Sequence, residues 1–132
     1  GSYPLRAREY RAGEVLIFDI TVGGRRIVHI GSAGISGAPM PKGACDVLFL
    51  CAPGWRTHAD YPAAYLKDLQ PRYIMPFHFD WFGCPLDDPR VLQKRPPISW
   101  INDLDSFLKH LRKLAPKTPV VLPQICEPMA LD

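Results

Sequence analysis

Arg72-Tyr73-Ile74-Met75-Pro76-Phe77-His78-Phe79-Asp80 decides how this chain is read. A β-type run, Tyr73 to Met75, meets a proline and then delivers a histidine two positions later. Proline has no N–H and is tolerated at strand edges or ends, so Pro76 is expected where the strand stops pairing. His78 then falls just beyond the carboxyl end of a strand, the edge at which open α/β sheets hold their ligands. A lone histidine is more often a structural residue that holds a loop by hydrogen bonds. Its neighbours in sequence shift that balance.

Upstream, Glu14 to Val22 and Arg25 to Ile30 are rich in β-branched residues and are separated by Gly23-Gly24. A two-residue connection that accepts positive φ at both positions predicts a β-hairpin. Gly31-Ser32-Ala33-Gly34-Ile35-Ser36-Gly37 follows, either a glycine-rich functional loop or an ordinary connection. Asp46 to Ala52 is a continuous apolar run, the mark of a strand buried on both faces. Pro53-Gly54 breaks it. Asp60 is expected to cap a helix over Tyr61 to Leu69, with Pro62 near its first turn and Pro71 beyond its end. Strand, helix and strand at this spacing predict a βαβ unit.

Phe79 to Ile98 is an irregular segment that holds Trp81, Phe82, Cys84 and four prolines. A loop of that length is usually functional or packed as a lid, which makes Trp81 a candidate substrate-loop residue. A helix is expected over Trp100 to Leu114, with Ile101, Leu104, Phe107, Leu108, Leu111 and Leu114 as its apolar stripe. His110 falls on its polar side, where solvation is expected. Thr118 to Leu122 is expected as a last strand.

The 132 residues fit one domain, with Gly1-Ser2 reading as a cloning scar and residues 3–132 as the folded unit. Hydrophobic residues make up 47% and charged residues 22%, which excludes a disordered chain. The net charge of +3 is spread along the sequence without a basic run among aromatics, so nucleic acid is not an expected partner. No apolar stretch approaches a membrane span. Cys45, Cys51, Cys84 and Cys126 have no Cys-x-x-Cys spacing, so neither a disulfide framework nor a cysteine zinc site is expected. The default is a reducing, cytoplasmic compartment. Cys45 and Cys51 read as small buried hydrophobes. Cys84 as a nucleophile has no histidine in its sequence context.

Taken in order, these pieces resemble the carboxyl-terminal half of the metallo-β-lactamase fold. The resemblance rests on the Gly-Gly hairpin, Arg26-Ile27-Val28-His29-Ile30-Gly31-Ser32-Ala33-Gly34, Asp46-Val47-Leu48-Phe49-Leu50, and Ile74-Met75-Pro76-Phe77-His78-Phe79-Asp80. It covers most of residues 13–123. It implies an α/β half of a four-layer αββα sandwich, with helices on one sheet face, taken from a zinc-dependent hydrolase. In that family metal activates water for attack on an ester, amide or phosphodiester bond. The resemblance makes His78 a metal ligand. It puts Ser32 where an aspartate normally bridges two metals. The family's His-x-His-x-Asp-His motif, which belongs to the first half, does not occur in this chain.

A neutral hydroxyl brings neither the charge nor the second oxygen of a carboxylate to a pair of dications. One imidazole is too few for catalytic zinc, which takes three protein ligands and a water. Zinc binding by this chain is therefore expected to be weak or absent, and the isolated chain inactive. A non-catalytic assembly module that has kept the fold is the rival expectation. Asp80 either orients His78 through its second ring nitrogen or closes an Asx turn. His58 either approaches His78 or, with Thr57 and Asp60, caps the following helix. The strands are apolar on both sides while the helices cover one, so the inner face needs a homodimer partner or the missing first half. A small-molecule substrate is implied, of a kind the residues do not specify.

Overall fold

Gly23 and Gly24 turn the chain at φ +56° and +74°, left-handed values that cost a residue with a Cβ about 1–2 kcal/mol. They join β1 (Ile17–Val22) to β2 (Arg25–Ile30) in the expected antiparallel hairpin, with Val22 opposite Arg25 and Ile17 opposite Ile30. The computed structural model describes residues 15–34, 39–79, 85, 103–123 and 127–131. β3 (Val47–Cys51) pairs parallel to β2, and β4 (Tyr73–Phe77) parallel to β3. The result is a four-stranded mixed sheet in the order β1-β2-β3-β4. Helix α1 (Ala63–Leu69) connects β3 to β4, and α2 (Leu104–Leu114) follows. The chain is thus α/β.

Strand alternation sorts the side chains onto two faces. Val28, Ile30, Leu48, Leu50 and Ile74 share one face and are fully buried. Tyr65 and Leu69 of α1 and Leu104, Phe107, Leu108 and Leu111 of α2 join them in a single core, so both helices cover this face. On the other face, Phe18 is 48% exposed, Ile20 47% and Val22 60%. Leu131 lies against part of that face, beside Ile27, Val47 and Tyr73.

Four expectations need correction. Pro76 does not end pairing: it lies within β4, opposite Leu50, and Phe77 still accepts the Ala52 N–H at 3.0 Å. The reason is direction. Tyr73 and Phe77 bond towards β3, whereas Ile74 donates to the Pro119 carbonyl and accepts from Val121 N–H. Pro76 has the parity of Ile74, so its missing N–H would have pointed away from β3.

The same geometry explains why the expected strand over Thr118–Leu122 reduces to a bridge between Ile74 and Val120. The next two ladder bonds would need N–H groups at Pro76 and Pro123, and neither residue has one.

Asp60 does not cap α1 with its side chain. Its backbone carbonyl accepts the Ala64 N–H, and Pro62 occupies the N-cap without a side-chain bond. Tyr61 stays outside the helix because its buried hydroxyl donates to the Cys51 carbonyl at 2.7 Å. Finally, Leu114 is not core: it is 40% exposed and lines a shallow cleft with Leu66 and Pro71. Helix α2 begins at Leu104 because the Asp103 carboxylate accepts the Ser106 N–H at 3.1 Å, an N-cap. Trp100 to Asn102 lie outside the described residues.

At the amino edge of the sheet, Asp46 accepts the Arg26 backbone N–H at 2.9 Å and faces Arg25 and Arg72 at 3.0 and 3.4 Å. Arg26 in turn pairs with Asp19 and donates to the carbonyls of Lys42, Gly43 and Ala44. The Arg26 N–H, then Arg25, hold the Asp46 carboxyl below its ordinary range; the Arg26 guanidinium does the same for Asp19. A depressed folded pKa adds stability above the unfolded carboxylate value of about 3.9, which is lost as pH falls through the lower folded value. Asp46→Asn should therefore flatten the acid limb of a Tm-against-pH curve below about pH 4. An unchanged acid limb would mean that these pairs are solvated and carry no linkage.

Candidate functional site

Three parallel strands end at one edge, and the loops that follow them meet there. Ser32 to Gly34 leave β2, Ala52 to Asp60 leave β3, and His78 and Phe79 leave β4. β3 and β4 run in register, with Cys51 opposite Phe77, so the last residue of β3 sits beside the first residue after β4. The Cys51 Sγ lies 3.8 Å from the His78 Nδ1. The Ala33 N–H bonds to the same sulfur, and the Pro53 carbonyl is 3.9 Å away. All three loops therefore touch one thiol.

His78 is exposed and holds φ at +60°, a left-handed value that histidine adopts more readily than most residues. The ring follows directly on β4 and stacks on that of Phe77, with centroids 6.4 Å apart. Cys51 is only 3% exposed, and burial pushes its thiol above the ordinary range, with the Ala33 N–H opposing part of the shift. A buried, protonated thiol is a poor nucleophile at neutral pH. Sequence reading treated Cys51 as a buried hydrophobe, which its burial supports, but missed its neighbour. The parallel register of two adjacent strands was the signal that could have paired it with His78.

Ser32 is half-buried, and its hydroxyl accepts the Gly34 N–H at 3.2 Å within its own loop. His58 does not cap α1. Its ring lies on the same glycine loop, so close that a Cβ at Gly34 would stand 2.9 Å from the His58 Nε2. Thr57 closes the preceding turn by donating to the Gly54 carbonyl at 2.6 Å. Thr57, His58 and Asp60 line a cleft of about 400 Å³ with Ala33, Met40 and Tyr65. Gly34→Ala should push the His58 ring off the loop and cost little stability, because the ring is the far end of an exposed side chain. Imidazole NMR shifts of His58 in the variant check this; unchanged shifts would mean that the loop moves instead.

The β3 loop is pinned from the helix side. Arg56 pairs with Asp103 at 2.8 Å, and Trp55 packs on Phe107 and stacks on His110 at 4.9 Å. His110 is thus half-buried under an indole rather than solvated. His29, on the open face, packs against Phe77 with ring centroids 4.4 Å apart, and its buried Nδ1 has no hydrogen bond among the described residues. Asp80, Trp81 and Cys84 lie outside the described residues.

The described residues do not fit a carboxylate-bridged pair of metals. Ser32 is neutral and already engaged in its own turn. Among the described residues, no three His, Cys, Asp or Glu side chains come together as a metal-holding group. Among the described residues, the Cys51 sulfur and one imidazole nitrogen of His78 meet on this edge. Among the described residues, no helix is long and apolar enough to cross a membrane. No family model, no curated protein and no solved structure matches the chain.

Proposed function

We propose that this chain is the carboxyl-terminal half of a metallo-β-lactamase-like hydrolase that acts on an ester, amide or phosphodiester bond. The observation that carries this reading is the gathering of three carboxyl-end loops around Cys51, with His78 beside it, at the edge where open α/β sheets bind ligands. His78 offers an imidazole there, and the cleft beside His58 and Tyr65 offers room for a small molecule. The reading also accounts for the exposed apolar residues of β1, Phe18, Ile20 and Val22, which a second half of similar build would cover.

Hydrolysis of chromogenic esters, amides and phosphodiesters tests it. The isolated chain should be inactive, and His78→Ala in the complete protein should abolish turnover while leaving the fold intact. Full activity of that variant, or turnover by the isolated chain, would overturn the assignment.

The second reading is a non-catalytic module that assembles through the same open face, as a homodimer in the simplest case. It draws on the Ser32 hydroxyl, which is spent on the Gly34 N–H rather than presented to a ligand. Ser32→Asp separates the two. If a metal site is completed by a second half, the new carboxylate should raise metal stoichiometry in the complete protein. In a pure assembly module the stoichiometry stays unchanged.

A further inference from the structure

We infer that the outer edge of β1 is a pairing edge for a second copy of this chain, joined antiparallel about a two-fold axis so that two four-stranded sheets become one. This contact runs along the sheet rather than across its face, and it stands whether or not the chain takes part in hydrolysis. The Arg26 carbonyl accepts the Asp46 N–H at 2.8 Å, so the Arg26 main chain bonds towards β3. Thr21, opposite Arg26, is therefore in a non-hydrogen-bonded pair with β2. By the same alternation, the N–H and C=O groups of Ile17, Asp19 and Thr21 all point away from β2. Among the described residues, no hydrogen bond reaches them.

The two margins of the sheet differ. At β4, Ile74 is bonded to Pro119 and Val121, and Pro76 carries no N–H. β1 has none of the devices that blunt an edge: Ile17-Phe18-Asp19-Ile20-Thr21-Val22 holds no proline or lysine and pairs with β2 without a bulge. Its single charge, Asp19, is spent on the Arg26 guanidinium at 2.7 and 2.9 Å. Because β1 is the margin left open among the described residues, two copies use the same edge and the pair closes.

The strand is also self-complementary. With Ile20 on the two-fold axis, Phe18 of one copy lies opposite Val22 of the other. Asp19 then lies opposite Thr21, and the two exchange both main-chain bonds. An aromatic–aliphatic pair and an acid–hydroxyl pair thus face each other on either side of the axis. Centring the axis on Asp19 would instead set two carboxylates opposite one another, which is destabilising. Centring it on Phe18 would leave Thr21 and Val22 opposite residues that precede β1.

Amide hydrogen exchange reads this edge directly. In the 132-residue chain, the Asp19 and Thr21 N–H groups should exchange about tenfold or more slowly in concentrated than in dilute solution, as light scattering reports a doubled mass. Covering of the sheet face alone would leave these edge amides unprotected. Thr21→Pro removes an N–H that β2 does not use, so the hairpin should keep its fold while this association is lost. Thr21→Glu, at the same exposed position, should weaken the pair by setting a like charge opposite Asp19, and Thr21→Lys should not. A chain that stays single at high concentration, association without slowed exchange at Asp19 and Thr21, or undiminished association in Thr21→Pro or Thr21→Glu would each overturn the pairing. The hydrolase reading is decided separately, by turnover in the complete protein.

Discussion

Phe107→Ala should destabilise the chain by about 3–5 kcal/mol, the range for truncating a fully buried aromatic side chain. Phe107 is 0% exposed in the first turn of α2 and lies in the same core as Leu48, Leu50 and Ile74. Its ring is parallel to that of Tyr61 at 6.3 Å and packs on Trp55 at 5.7 Å. Both partners stand on the loop after β3. The variant should therefore loosen the candidate site as well as the core, because Tyr61 positions that loop through the Cys51 carbonyl. Urea unfolding gives the free energy, and the chemical shifts of Thr57 and His58 report the loop. A loss under about 1 kcal/mol would mean that α2 docks through its leucines alone.

Under the proposed assembly through the β1 face, Ile20→Lys should leave the folded chain intact and abolish association. Ile20 is 47% exposed and is flanked on the same side of β1 by Phe18 and Val22, so a lysine there meets water in a lone chain. Once a second sheet covers this face, the ammonium is buried without a partner. Burial of an unpaired charge costs about 4 kcal/mol or more, roughly a thousandfold in the association constant. Light scattering should report a larger species for the parent chain or its complex and a single chain for the variant. If the parent chain is already a stable monomer at dilute concentration, the open face is covered from within, and both the half-domain and homodimer readings fall.

The elements whose physics is local were legible in the sequence. The Gly23-Gly24 hairpin needed only two residues that accept positive φ, and the Val47–Cys51 run needed only continuous apolarity. Elements that depend on a partner were less so. Whether Pro76 stops a strand depends on which neighbour its nitrogen faces, and that is set by the register with β3 and by the chain at Pro119 to Val121. Asp60 carries the chemistry of a cap, yet Tyr61 is tied to Cys51 and the helix starts later. At the site, His78 stood out because a proline announced it. Cys51 did not, because a buried thiol and a small hydrophobe look alike until a neighbouring strand brings an imidazole against one of them.

The proline in β4 also acts as a key for alignment. If β4 slid by one position along β3, the imino nitrogen of Pro76 would turn inward, where the ladder requires a donor, and every side chain would change face. That misalignment would lose a backbone bond and the burial of Ile74 together. The observed alignment keeps the defect on the outer margin. His78 leaves the strand two residues later, so the position of its ring is inherited from the one residue in β4 that cannot donate.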